Sequence, residues 1–156
     1  MTVASEAGKI VRALRAAHLH DIGRRGLLQM ACDRLRARGA PYTSVYAYML
    51  HGNELALESH AGRDTDHTRI PVGKGVCGTA IDLEMSMLVK DVHEFAGHIA
   101  CDAASRSELV VLLRDDDGVF GLIDLDSPTP SRFDKDDQAG IEALAAIYVA
   151  ASSFED

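Results

Sequence analysis

The residues of this 156-residue chain best suited to chemistry are two thiols, Cys77 and Cys101, and three carboxylates, Glu108, Asp124 and Asp126. Cys101 stands in the run His98-Ile-Ala-Cys-Asp-Ala-Ala-Ser105, where small neighbours leave a thiol accessible and an imidazole sits three positions before it. That is the setting an attacking thiolate needs. Cys77 follows Val72-Gly-Lys-Gly-Val76, a phrase that predicts a helix start, with backbone N–H groups able to seat a carboxylate and to lower a thiol pKa. A sulfenic acid formed on Cys101 could be trapped by Cys77 as a disulfide. Asp124 and Asp126 alternate with Ile123 and Leu125, so both carboxylates share one strand face, and Glu108 opens the strand expected to pair with it. Clustered carboxylates raise one another's pKa, which keeps one protonated, while charged members hold an ammonium group. Thiol redox chemistry on a small zwitterion follows as the expectation.

Plainer readings stand beside it. The thiols could be reduced structural cysteines, and the acids could form a polar strand face open to solvent. His93, His98 and Cys101 could bind zinc, although their spacing matches no common ligand pattern and a fourth partner is unclear. No metal and no cofactor is expected.

The positioning elements are read from periodicity and breakers. A helix is predicted over Glu6 to Ala17, and a second, after Gly23 and Gly26, runs to about Arg38. In that second helix Leu28, Ala31, Cys32 and Leu35 share one stripe, which makes Cys32 a buried core residue. Gly39-Ala-Pro41 stops it. A hairpin follows, from Tyr42 to Leu50 and from Glu54 to His60 about the turn His51-Gly52-Asn53. Cys77 to Leu83 suits a short helix. Ser107 to Arg114 and Val119 to Asp126 form a second hairpin across Asp115-Asp116-Asp117-Gly118. The tail is a helix with Asp134 as N-cap, Asp136 and Asp137 in its first turn, and an apolar face of Ile141, Leu144, Ala145 and Tyr148. This order implies an α+β fold, an antiparallel sheet with the terminal helices packed on one face. One domain over 1–156 is expected, divided into N-terminal helices (1–40), sheet and active-site loops (41–133) and a C-terminal helix (134–156).

Composition narrows the function classes. The 47% hydrophobic and 26% charged residues are ordinary for a globular chain. A net charge of −8 argues against nucleic acid, and no apolar run is long enough to span a bilayer, so a cytoplasmic protein without membrane contact is expected. In a reducing compartment three cysteines read as free, catalytic or metal-bound rather than as structural disulfides. Residues 1–40 carry eight Lys/Arg and three Asp/Glu, most simply a solvated arginine face on the N-terminal helices.

The run from Gly62 to Phe133, with the phrases TRIPVGKGVCGTA, DVHEFAGHIACDAASRSELVVLL, GLIDLDS and, reaching just past its end, RFDKDD, resembles the free methionine-(R)-sulfoxide reductase branch of the GAF-domain superfamily. The resemblance implies a GAF-like fold and puts Cys101 at the nucleophile's position, Cys77 at that of an assisting cysteine, and Glu108, Asp124 and Asp126 on the acidic substrate-binding positions. It also implies free methionine sulfoxide as substrate, a thioredoxin-type reductant and a homodimer. The chain departs from the branch in carrying His67 where a further resolving cysteine stands, and in offering Ser44, Val45 or Tyr46, and no tryptophan, in the first strand. Weaker or altered turnover is expected from these departures. A small-molecule or redox-sensing GAF module is the alternative.

Overall fold

The computed structural model describes residues 9–10, 13, 24–38, 44–97 and 105–152. Lys9, Ile10 and Ala13 are helical, and the rest of the helix predicted over Glu6 to Ala17 lies outside the described residues. From there the chain runs through α1 (Arg24–Arg38), β1 (Ser44–His51), β2 (Glu54–Ala61), β3 (Arg69–Pro71), α2 (Gly75–Leu83) and β4 (Met87–Val89). A 3-10 turn (Val92–Glu94), β5 (Ser107–Asp115), β6 (Gly118–Ser127) and α3 (Lys135–Ser152) complete it. The six strands form one sheet in the order β3-β2-β1-β6-β5-β4, antiparallel at every pairing.

Alternation along the central strands divides the interior into two cores. On one face Val45, Ala47 and Met49 of β1, Leu109, Val111 and Leu113 of β5, and Ile123 and Leu125 of β6 meet the helices. Leu28, Ala31, Cys32 and Leu35 of α1 and Ile141, Leu144, Ala145 and Tyr148 of α3, the two predicted stripes, are all buried there. On the other face Tyr46, Tyr48, Val110, Leu112 and Leu122 pack with Leu55, Ile70 and, from α2, Val76, Cys77, Ala80 and Ile81. The terminal helices thus share one face as expected, and a short helix with its flanking loops closes the other.

Both hairpins form where predicted. Gly52 takes the first turn at φ 65°, and Asp117 N–H donates to Asp115 Oδ1 in the second. The start of α3 is a reciprocal capping box: Asp137 N–H donates to Asp134 Oδ1 at 2.8 Å and Asp134 N–H to Asp137 Oδ2 at 3.0 Å. Asp136 and Asp137 add negative charge in the first turn. The three-residue strands β3 and β4 were not foreseen, because so short a run carries no periodic signal; each is held as an edge by its neighbour, β2 or β5. Among the described residues no helix is long and apolar enough to cross a membrane.

Candidate active site

The acidic cluster is built by register. In the β5–β6 ladder Glu108 lies opposite Asp126 and Val110 opposite Asp124, so Glu108, Asp124 and Asp126 face the same side. In the β1–β6 ladder Ser44 lies opposite Asp126 and Tyr46 opposite Asp124, extending the wall across a third strand. The expectation of a solvated polar face as the plain alternative fails here: Glu108 and Asp126 are 2% exposed and Asp124 is fully buried. Helix α2 packs on this face, opposite the terminal helices, and β1 holds the loop 62–68 on the same side.

Helix α2 is seated by glycine. A Cβ on Gly78 would lie 2.5 Å from the Pro71 carbonyl oxygen, so the helix approaches β3 more closely than any other residue allows. It begins at Gly75, two residues earlier than the predicted Cys77 start. Cys77 is therefore in its first turn, buried, with Sγ donating to Glu108 Oε1 at 3.8 Å. Two N–H groups of the preceding phrase are used internally: Gly73 N–H donates to Gly78 O and Lys74 N–H to Pro71 O. The anion seat expected there narrows to the N–H groups of the helix's own first turn.

Loop 62–68 is held by β1. Tyr46 Oη donates to Arg63 O at 2.7 Å, Tyr48 Oη donates to His67 O at 2.8 Å, and Ser44 Oγ accepts from Arg63 N–H at 3.1 Å. Tyr46 also stacks on His60, with ring centroids 6.1 Å apart. These three β1 residues are wholly buried, Ser44 and Tyr46 opposite the acids; sequence reasoning named Ser44 and Tyr46 only as what stands in place of the family's tryptophan, and it did not single out Tyr48. The alternation Ser44, Tyr46, Tyr48 was the available signal. His67 itself is exposed and contributes its backbone carbonyl.

Cys101, with His98 and Asp102, lies outside the described residues. The residues bracketing that segment are tied together. Val92 N–H donates to Arg106 O at 2.7 Å, and the Arg106 guanidinium reaches Asp91 at 3.4 Å. Asp91 caps the 3-10 turn by accepting from His93 N–H, which with Arg106 holds its carboxyl below the usual range. Cys32, on the opposite face, is remote from all of this. Burial, with Asp33 adjacent, pushes its thiol up to about 12, so it stays protonated.

Three adjoining strands and a helix thus enclose three carboxylates and one thiol, a donor set able to bind a cationic amine and to exchange protons with it or with a neighbouring oxygen.

Comparison with known proteins agrees with this architecture. A family model described as GAF domain matches residues 22–151. The chain is 43% identical over 99 residues to the free methionine-R-sulfoxide reductase of Escherichia coli, a stretch covering 64% of this chain and 59% of that protein. It spans about half the length of the curated relatives it matches. Among solved structures, the free methionine-R-sulfoxide reductase of Neisseria meningitidis, in complex with its substrate, superposes with a TM-score of 0.89 at 28% identity, covering 98% of this chain and 92% of that one. A Burkholderia vietnamiensis protein taken to be a GAF sensor does so with a TM-score of 0.86 at 33% identity, covering 98% and 99%. The six-stranded antiparallel sheet, the helices on its two faces and the match over 22–151 have one conclusion: the chain belongs to the GAF-domain family.

Proposed function

We propose that this protein reduces free methionine-(R)-sulfoxide to methionine. The observation that carries the reading is the convergence of Glu108, Asp124 and Asp126, at 2% exposure or less, on one sheet face beside the Cys77 thiol. Burying three carboxylates together is costly unless protons or a cation offset the charge. A free amino acid brings an ammonium group for that purpose, and a protonated carboxyl can donate to the sulfoxide oxygen. The likeness to reductases of Escherichia coli and Neisseria meningitidis supports the same substrate.

In the reaction, the Cys101 thiolate attacks the sulfoxide sulfur while a carboxylic acid of the cluster protonates the sulfoxide oxygen, which passes as hydroxyl to the Cys101 sulfur as the bond to the methionine sulfur breaks. Methionine leaves and Cys101 becomes a sulfenic acid. Cys77 condenses with it, releasing water and forming a disulfide, and a thioredoxin-type dithiol restores both thiols. We assign Glu108, Asp124 and Asp126 to substrate binding and proton supply. The same reading takes 1–156 as one GAF-like domain, acting in the cytoplasm as a homodimer.

The test is release of methionine from free methionine-(R)-sulfoxide by the reduced protein, with dithiothreitol and with a thioredoxin system, using Cys101→Ser as the blank. Methionine formed by the wild type alone is the expected result. The likeness to the Burkholderia vietnamiensis protein favours a second reading, a pocket that binds a small molecule without turnover. Sulfoxide binding with no methionine in either assay would select it, whereas a disulfide formed by peroxide alone would select a redox switch.

A further inference from the structure

Cys77 from α2, Glu108 from β5 and Asp124 from β6 each bring one ligating atom to a common point, all within 4.8 Å of one another. All three residues are at 3% exposure or less. A thiol–carboxylate hydrogen bond joins Cys77 to Glu108, and an Asp124 oxygen converges on both from another strand. Metal-ligand geometry describes all three. Tetrahedral zinc holds sulfur at about 2.3 Å and carboxylate oxygen at about 2.0–2.2 Å, which sets neighbouring donors about 3.4–3.6 Å apart. Cys77 Sγ and Glu108 Oε1 stand 3.8 Å apart and the Asp124 oxygen lies within 4.8 Å of both, so closing onto an ion draws the donors together by up to about 1 Å.

We propose that Cys77, Glu108 and Asp124 form a zinc site, and that zinc bound there blocks the pocket. The thiolate selects against magnesium and calcium, which take oxygen ligands alone. Three anionic donors more than balance the dication in a dry setting, with the fourth position left to water. Binding displaces the Cys77 thiol proton to solvent and transfers no electrons. The metal site stands on this geometry by itself; its inhibitory effect rests on the proposed reductase function, because zinc would occupy carboxylates assigned to the ammonium group and a thiol assigned to recycling.

The experiment is a Co²⁺ titration of the full, reduced, metal-stripped chain, followed by Zn²⁺ displacement, with methionine release measured alongside at rising Zn²⁺ and after chelation. A near-ultraviolet thiolate-to-cobalt band, bleached by zinc, is expected in the wild type. The band persists in Cys32→Ala and Cys101→Ser and is lost in Cys77→Ser. Outer-shell changes alone cost about 10–100-fold in metal affinity, so Glu108→Gln and Asp124→Asn, which remove ligands, weaken binding by about 100-fold or more. Circular dichroism checks that each variant is folded, and if Cys77→Ser is not, the Glu108→Gln affinity decides. A wild type without the band, or a band that survives in folded Cys77→Ser, overturns the site. A band with no methionine release under any condition keeps the site and overturns the reductase reading. Release that zinc leaves untouched while the band is present overturns the blockade.

Discussion

Glu108, Asp124 and Asp126 owe their chemical interest to burial rather than to type, since the same three acids on a solvated strand would be unremarkable charges. Under the proposed function they meet the substrate ammonium and supply the proton. Glu108→Gln and Asp126→Asn are each expected to lower kcat/KM by about 100-fold, the scale of truncating one partner of a buried charge pair. Steady-state kinetics on the folded variants checks this, and wild-type values in both would move the pocket elsewhere. Cys77 is assigned a different step. Cys77→Ser should therefore release methionine in the first turnover at the wild-type rate and fail in thioredoxin-dependent cycling. Single-turnover and steady-state assays separate the two, and full cycling would remove Cys77 from the recycling path. The sequence exposed these residues through alternation and spacing, but it named Ser44 and Tyr46 only as stand-ins for a missing tryptophan and passed over Tyr48, because a tyrosine in a strand reads as core. Only the ladder opposite Asp124 and Asp126 shows that their hydroxyls hold loop 62–68.

Among the elements, helices and hairpins were legible where breaker residues bound a periodic run. The C-terminal helix is the clearest example. Its stripe predicted the buried face, and its acidic start became a reciprocal box between Asp134 and Asp137. Asp134→Ala removes the side-chain oxygen that accepts from Asp137 N–H and is expected to cost about 1 kcal/mol. Urea denaturation reads this as a lower midpoint at unchanged slope, while Asp134→Asn, which keeps the acceptor, should stay near the wild type. The start of α2 was less legible, because Gly75 gives no periodic signal. Its position follows from the close approach of Gly78 to the Pro71 carbonyl, a contact between residues of different elements. Strands β3 and β4 were missed for a related reason, since each exists only as the partner of a longer strand.

For the whole molecule, the sheet separates two environments, and the thiols record the difference. Cys32 lies in the helix-packed core with its pKa raised from 9.0 to about 12. The unfolded chain loses this proton above pH 9 while the folded chain keeps it to about pH 12, so the unfolded state binds fewer protons in that window and stability falls as pH rises through it. Denaturation midpoints measured from pH 8 to 11 are expected to decline more steeply in the wild type than in Cys32→Ala, and equal slopes would remove Cys32 as the cause. The same protonation, with burial, slows Cys32 towards iodoacetamide in the native protein. By itself the sequence determined the helix stripes, both hairpins, the shared face of Asp124 and Asp126 and the pairing of Glu108 with them, because these depend on periods of 3.6 and 2 and on local turn chemistry. Tertiary structure alone decided that this acidic face is buried, that Cys77 rests against Glu108, and that β1 holds loop 62–68. Those outcomes depend on which distant segments cover a given face, and packing between segments leaves no periodic trace along the chain.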